Sequence, residues 1–160
     1  MAPFSNLKVL DLSNDFAGSY CSKLLSDFGA SVKKIIYEGR EDRSALYGPF
    51  INEIRDPKSS AMFHYMNYNK QVIPVSKGTH TIEELALSAD LLIEDFSRED
   101  FNLSGLDLEN IRKLNPDILI CSLTPFGRDT KWAEKPWSDL TIQALTGMCS
   151  VNGEQGKAPL

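Results

Sequence analysis

Apolar residues along the chain fall into short runs separated by polar stretches, and the spacing within the runs alternates between two kinds. Lys8-Val9-Leu10-Asp11-Leu12 is a β-type run that ends among polar residues, which predicts a strand followed by a loop. From Ser19 to Phe28 the apolar positions Tyr20, Leu24, Leu25 and Phe28 recur at helical spacing, and Gly29 stands where a left-handed C-terminal cap belongs. Ser31 to Ile36 predicts a second strand. A strand, loop, helix and strand of these lengths make the kind of crossover that joins parallel strands.

Between Gly39 and Ser60 the chain is rich in charged and turn-forming residues, including Gly48-Pro49 and Asp56-Pro57, and predicts a long surface loop. Loops of that length are uncommon unless they have a function. Ala61 to Met66 predicts a short helical turn, and Gln71 to Val75 a strand. Pro74 cannot donate a ladder hydrogen bond, so that strand belongs at an edge or ends there. Thr81-Ile82-Glu83-Glu84 has the capping-box pattern, in which the Thr81 hydroxyl accepts from a backbone amide and Glu84 reaches back, so a short helix to Ala89 follows. Leu91-Leu92-Ile93 is a continuous apolar run suited to a strand buried on both faces. Asp107 is placed to cap a helix carrying Leu108, Ile111 and Leu114, after which Ile118-Leu119-Ile120-Cys121 repeats the buried-strand pattern. A polar loop from Thr124 to Pro136 leads to a helix starting near Ser138, with Leu140, Ala144 and Leu145 on one side. The alternation of β and α elements predicts a single α/β domain over residues 1–160, a Rossmann-like parallel sheet with helices on both faces.

Charge narrows the function classes. With 17 Lys and Arg against 22 Asp and Glu, the net charge is −5, and no field gathers polyanions or anionic lipid, which argues against nucleic acid or a membrane surface as partner. No run approaches the roughly 18 consecutive apolar residues of a spanning helix, and MAPFSNLKVLDL passes directly into a strand-like run, not a signal peptide. A cytoplasmic location, or an organelle matrix, is the expectation. Cys21, Cys121 and Cys149 are odd in number, widely spaced and set in apolar runs, so buried free thiols are expected and no disulfide or zinc framework. With His64 and His80 the only histidines, a histidine-based metal site is not expected.

In open parallel sheets ligands bind beyond the carboxyl ends of the strands, where loops and helix N-termini converge. Four stretches fall in such positions: Ser13 to Gly18, Ile36 to Asp42, Asp95 to Arg98 and Thr124 to Gly127. Ala17-Gly18 opens a helix with small residues, which either lets a ligand approach the backbone amides or makes a tight turn for close helix packing. Neither G-x-G-x-x-G nor G-x-x-x-x-G-K-[ST] occurs, so a standard dinucleotide or P-loop site is not supported. Lys70 and Lys77 suit either phosphate contacts, as point charges, or an ordinary solvated surface.

Several strings, taken in order, carry a resemblance: VLDLSNDFAGSYCSKLLSDFGASVKKI, GPF, NYNK, ADLLIEDF, LNPDILICSLTPFG and DLTIQALTGMCSVNGEQGKAPL. Over essentially all of its length the chain resembles the N-terminal part of the large domain of the class III CoA-transferases, a family that includes formyl-CoA transferase, carnitine CoA-transferase and α-methylacyl-CoA racemase branches. The resemblance implies a Rossmann-like large domain that binds CoA, a smaller second domain, and a homodimer of interlinked protomers. It implies coenzyme A or acyl-CoA as substrate, a carboxylic acid as acceptor, and no metal. Transfer in such enzymes proceeds through an aspartyl-CoA thioester: a carboxylate attacks the acyl-CoA carbonyl to give a mixed anhydride, and the freed thiolate then attacks to leave CoA on the enzyme.

By position, the resemblance places Phe16, Ala17 and Gly18 near the CoA thioester arm, and Val75, Ser76 and Lys77 near the nucleotide. It places Asp95, Phe96 and Ser97 in a further CoA loop, and Pro136, Trp137, Ser138 and Asp139 in another. Asp139 also suits an early helix position facing the N-terminal dipole, the role we favour. The departures are as specific. Asn14 stands where Arg or His is usual, Ile36 replaces an acidic residue, and Glu38 occupies a position where some transferases carry a CoA-contacting Arg. Asp95 replaces a common Asn, removing two amide donors and adding negative charge. A carboxylate beside a CoA phosphate repels it.

The resemblance implies that the nucleophilic Asp follows the segment matching Gly153 to Leu160, beyond residue 160, so no residue of the sequence takes a catalytic role. The racemase branch uses a His where Ser138 stands, and a serine hydroxyl does not shuttle protons near neutral pH as imidazole does. The readings are therefore an acyl-CoA:carboxylate CoA-transferase or the CoA-binding portion of one, a non-catalytic, degenerate CoA-binding or interaction domain, and, less well supported, a racemase-like isomerase.

Overall fold

The computed structural model describes residues 2–39, 41–76, 81–154 and 156–157, without the side chains of Thr81 and Leu103. The chain divides into two compact units, Met1–Leu123 and Thr124–Leu160.

The first unit is built on strands β1 (Lys8–Asp11), β2 (Ser31–Tyr37), β3 (Gln71–Val75), β4 (Leu91–Glu94) and β5 (Leu119–Ser122). They form a five-stranded sheet in the order β3-β2-β1-β4-β5, parallel at every pairing. Helix α1 (Phe16–Asp27) joins β1 to β2, α2 (Ala61–Asn67) precedes β3, α3 (Thr81–Ala86) precedes β4, and α4 (Arg98–Ser104) and α5 (Leu108–Leu114) lie between β4 and β5. This is the Rossmann-like α/β sheet that the alternation predicts, and its order reverses at β1, where β2 lies on one side and β4 on the other. Pro74 sits on β3 at one edge, as its missing N–H requires.

The apolar runs sort onto the two faces of the sheet. One face buries Leu10, Leu12, Ile35, Leu92 and Phe96 together with Ile82, Ala86 and Ile111, which come from α3 and α5. The other buries Val9, Val32 and Ile93, with Cys21 and Leu25 of α1 packed against them. Cys21, Cys121 and Cys149 are free thiols, half-buried rather than fully so. Asp107 caps α5 by accepting from Asn110 N at 2.9 Å. Helix α4 has no apolar period to announce it. It begins at Ser97, whose Oγ accepts from Asp100 N at 3.0 Å, and ends at Gly105 with φ 69°.

Three expectations fail. The stripe Tyr20, Leu24 and Phe28 of α1 is 44%, 40% and 51% exposed, whereas Gly18, Ser19, Ser22, Lys23 and Ser26 are buried. The helix also starts three residues earlier than its apolar period suggests, because Asp15 caps it by accepting from Phe16 N at 2.8 Å. Secondly, the segment after Gly39 is not merely a surface loop. It forms short 3-10 turns at Arg43–Leu46, Ile51–Glu53 and Pro57–Ser59, and it buries Asp42, Ser44, Ala45 and Ser60. Ser60 Oγ donates to Tyr47 O at 2.6 Å and accepts from Phe63 N at 3.1 Å, so one hydroxyl both pins the loop and caps α2. Thirdly, β5 carries an apolar run without full burial: it is the second edge of the sheet, and Leu119 is 66% exposed.

In the second unit, α6 (Asp139–Leu145) and α7 (Met148–Val151) follow the loop that opens at Thr124. Ser138 caps α6 through a reciprocal box, its Oγ accepting from Thr141 N at 3.3 Å while Thr141 Oγ1 accepts from Ser138 N at 2.8 Å. Among the described residues no helix is long and apolar enough to cross a membrane, and no group of three His, Cys, Asp or Glu side chains is placed to hold a metal ion.

Candidate functional site

The carboxyl end of β1 rests on a buried ionic network that composition gives no hint of. Asp11 and Lys34 are fully buried, on β1 and β2 respectively. Lys34 Nζ donates to Ser13 O and lies 3.2 Å from Ser13 Oγ, 3.3 Å from Ser19 Oγ, 3.1 Å from Asp42 Oδ2 and 3.7 Å from Asp11 Oδ1. Lys70 Nζ enters from the residue before β3, bonded to Asp11 Oδ2 at 3.0 Å, Ser19 O at 2.9 Å and Ser22 Oγ at 2.7 Å. Ser13 Oγ and Ser22 Oγ each donate to an Asp11 oxygen at 2.5 Å. Two carboxylates and two ammonium groups are thus matched in charge, and buried ions persist only when paired and hydrogen-bonded in this way.

The network explains the inverted face of α1. Ser19 and Ser22 point inward because Asp11, Lys34 and Lys70 need short hydroxyl and carbonyl partners, which leucines at those positions could not supply. It also decides Lys70, whose ammonium is buried in a protein ion pair and is neither a phosphate contact nor a solvated surface lysine. Burial opposes the charge on Asp11, but the two ammonium groups and the Ser13 and Ser22 hydroxyls outweigh it and hold the carboxyl below its ordinary range. Burial dominates at Lys70 and lowers its pKa despite the attraction of Asp11.

Above the network, two of the four expected segments meet. Asp95, one residue past β4, accepts from Asn14 N through Oδ1 at 2.6 Å and from Asp15 N through Oδ2 at 2.9 Å. Its carboxylate therefore faces the loop between β1 and α1, so the Asp-for-Asn departure adds acceptors for amides of the protein itself. Burial pushes its pKa up to about 6, against the pull of those two amides and of Lys34. Gly18 is required at this junction: a Cβ there would lie 2.3 Å from Ser13 Cβ and 2.8 Å from Asp95 Oδ2. Close packing thus accounts for this glycine, while Ala17 beside it stays exposed and Phe16 half-buried. Phe16 meets Tyr47 edge to face with centroids 5.2 Å apart, and Arg43 Nη1 donates to Asp15 Oδ2 at 2.7 Å, so the loop after β2 packs onto the same turn.

The other candidates separate. Phe96 is buried in the core with its ring 6.3 Å from that of Tyr37, whereas Ser97 is exposed and caps α4. Val75 is buried at the end of β3, and Ser76 beyond it donates to Glu38 Oε2 at 2.7 Å. Lys77 lies outside the described residues. Pro136, Trp137, Ser138 and Asp139 belong to the second unit, where Asp139 occupies the first turn of α6 and its Oδ2 accepts from Gln143 Nε2 at 2.7 Å. The network residues Asp11, Lys34 and Asp42 were not anticipated. Asp11 and Lys34, charged residues inside apolar strand runs, together with serines at 19, 22 and 26 in helical spacing, were the signal in the sequence.

The fold agrees with comparisons to known proteins. The chain is 32% identical over 164 residues to the succinate–glutarate CoA-transferase of Agrobacterium fabrum, covering 99% of this chain and 41% of that protein. It is 30% identical to the succinyl-CoA:mesaconate CoA-transferase of Haloarcula marismortui, covering 99% of this chain and 42% of that one. A crystal structure of a CaiB/BaiF family protein from Brucella suis superposes with a TM-score of 0.81 at 31% identity, over 99% of this chain and 43% of the other. The chain thus spans about two fifths of the length of these relatives. Residues 4–160 match the profile of CoA-transferase family III, and the chain belongs to that family.

Proposed function

We propose that the chain forms the CoA-binding part of an acyl-CoA:carboxylate CoA-transferase, with a dicarboxylic acyl-CoA such as succinyl-CoA as donor. The reading rests on one observation above the others: the turn Phe16–Gly18 and residue Asp95, which the resemblance assigns to CoA, come together at the strand-order reversal where doubly wound sheets bind ligands. Relatives named for succinyl, glutarate and mesaconate exchange supply the donor and acceptor class.

The described residues prepare binding, not bond making. The network under β1 fixes the turn, Gly18 lets α1 start close to the sheet, and exposed Ala17 offers a small, uncharged surface. The two loop amides that could meet an anion are taken by Asp95, so the part of the ligand lying there is neutral, as a thioester arm is. Transfer then follows the family chemistry of a carboxylate attacking the acyl carbonyl and an enzyme carboxylate carrying CoA in between.

The test is to incubate the full chain with succinyl-CoA and glutarate or mesaconate and to follow the new acyl-CoA by chromatography and mass spectrometry, with calorimetric titration of CoA in parallel. Saturable CoA binding without turnover by these 160 residues is the expected result, since the resemblance assigns none of them the nucleophile. Turnover would overturn that account of the nucleophile, and absence of binding at millimolar ligand refutes the CoA reading.

A further inference from the structure

Where β1 and β2 begin, at the opposite end of the sheet from the turn at Ala17, the first unit opens a cavity of about 420 Å3. Register and alternation set its floor: Leu10 pairs with Lys33 and Lys8 with Ser31, so all four side chains share the sheet face on which α3 and α5 pack. Helix α3 has only six residues, and the cavity opens beside its carboxyl end, where Leu85 and Ala89 form the wall. Leu10 and Ala89 belong to the buried core and Leu85 packs against it, so the base of the cavity is apolar. The wall is also fixed. Asn115 Nδ2 donates to Ala86 O and Ala89 O, both at 2.9 Å, while Lys8 N donates to Asp90 Oδ2 at 2.8 Å and Asp90 N to Lys8 O at 2.9 Å. A cavity held in this way is formed before a ligand arrives, as small-molecule sites usually are.

The charge of the lining is the reverse of the chain's. The net charge is −5, yet among the described residues no Asp or Glu lines the cavity, whereas Lys8 and Lys33 do. Unlike Lys34 and Lys70, neither of these ammonium groups is ion-paired with a described residue. They are diagonal neighbours on adjacent strands, with Cα atoms roughly 8 Å apart by ordinary strand geometry, so both long side chains reach a single anionic group. Two cations over an apolar base suit a ligand with both characters. An inorganic anion would leave the base wet, and a neutral hydrocarbon would gain nothing from the lysines.

We propose that this cavity is a second ligand site, which takes a medium-chain aliphatic carboxylic acid with its carboxylate between Lys8 and Lys33 and its chain over Leu10 and Leu85. The site lies at the amino ends of the strands, so it goes beyond the CoA reading and does not depend on it. Burial of the chain supplies the affinity, and the two lysines select the charged head.

The test is calorimetric titration of the full chain with octanoate, with its uncharged counterpart octanamide, and with inorganic phosphate. Octanoate is expected to saturate at millimolar concentration or below, octanamide to bind about tenfold more weakly, and phosphate not to saturate. Lys8→Met and Lys33→Met, which keep apolar stems, should each weaken octanoate by about threefold and leave octanamide unchanged. Backbone amide NMR shifts on adding octanoate should appear at Ser31, Lys33, Leu85 and Ser88, and not at Phe16 to Gly18. The octanamide comparison needs no variant, so it decides even where a substituted chain fails to fold. Failure of octanoate to saturate, equal binding of octanoate and octanamide, or phosphate as tight as octanoate each overturns the inference. So does an octanoate affinity unchanged in both variants, or a set of shifts centred on the turn. That last result would put the acid in the crevice assigned to CoA, whereas the CoA reading itself stands or falls on its own titration.

Discussion

Replacing Lys34 with Met removes one cation from a site that no water reaches. The methionine fills nearly the same volume, so the loss is electrostatic and not a cavity. Asp42 Oδ2 loses its ammonium partner at 3.1 Å, Asp11 keeps Lys70 but loses the second cation at 3.7 Å, and Ser13 O loses its donor. Breaking a buried pair from one side costs about 3–5 kcal/mol, because the remaining charge stays desolvated. That is a large share of the roughly 5–15 kcal/mol that holds an ordinary domain together. With a urea slope of about 1–3 kcal/mol/M, Lys34→Met should lower the unfolding midpoint by about 2 M in circular dichroism. Asp42→Asn added to Lys34→Met should recover part of the loss, since it removes the stranded charge, and the double-mutant cycle measures that coupling. Arg43→Ala supplies the contrast: the Arg43–Asp15 pair is half-exposed, and its removal should cost less than about 1 kcal/mol. If Lys34→Met costs no more than Arg43→Ala, the network is not a buried ionic cluster and the account of α1 fails with it.

Gly18→Ala should destabilise the first unit by about 1–3 kcal/mol, because its Cβ would lie 2.3 Å from Ser13 Cβ and 2.8 Å from Asp95 Oδ2; a thermal melt unchanged from the parent chain would refute the close packing. Asp95 titrates at about 6 in the fold against an ordinary 3.8, so the native state holds more proton between those values and stability falls as pH rises through that window. Carboxyl-carbon NMR should place its midpoint near pH 6, and a midpoint near 4 refutes the burial. Asp11 has the opposite sign: its contribution is present above the unfolded carboxyl value and is lost as pH falls through its lowered one, so Asp11→Asn should flatten the acid limb of the stability curve. Ser60→Ala loses a cap and a loop tether together and should cost about 1–3 kcal/mol in urea unfolding.

Elements set by local chemistry were legible in the sequence. Pro74 placed β3 at an edge because a missing N–H cannot be hidden, and Ser138 and Asp107 marked helix starts because their side chains satisfy amides one turn on. The burial of α1 was not legible by the same reasoning, since apolar periodicity assumes that the face turned inward is the greasy one. On α1 that rule loses to Asp11: once a carboxylate and two ammonium groups lie at the end of β1, the helix facing them must bring hydroxyls, and Tyr20, Leu24 and Phe28 turn outward. The site was half legible for a related reason. Resemblance located the turn at Phe16–Gly18 and the residue Asp95, but the three charged residues that hold that turn from beneath come from β1, β2 and the loop after it. Only the parallel pairing of β1 with β2 brings them together.

The same network constrains what the crevice accepts. In a chain built to bind an anionic ligand, cations near strand ends and amides at a helix start are usually the attracting groups. In this chain Lys34 and Lys70 are consumed below the turn by Asp11 and Asp42, and the amides of Asn14 and Asp15 are consumed by Asp95. Attraction of phosphate at the turn is therefore cancelled twice by the protein's own carboxylates. At the end of β2 a further carboxylate, Glu38, stands in the open. A ligand segment that meets the turn is therefore expected to be uncharged there, as the proposed thioester arm is. Asp95→Asn keeps one acceptor for the turn and frees the other amide for a ligand oxygen, so it should strengthen CoA binding in calorimetric titration. An affinity left unchanged by Asp95→Asn would mean that the turn amides do not meet the ligand and would refute this account of the crevice.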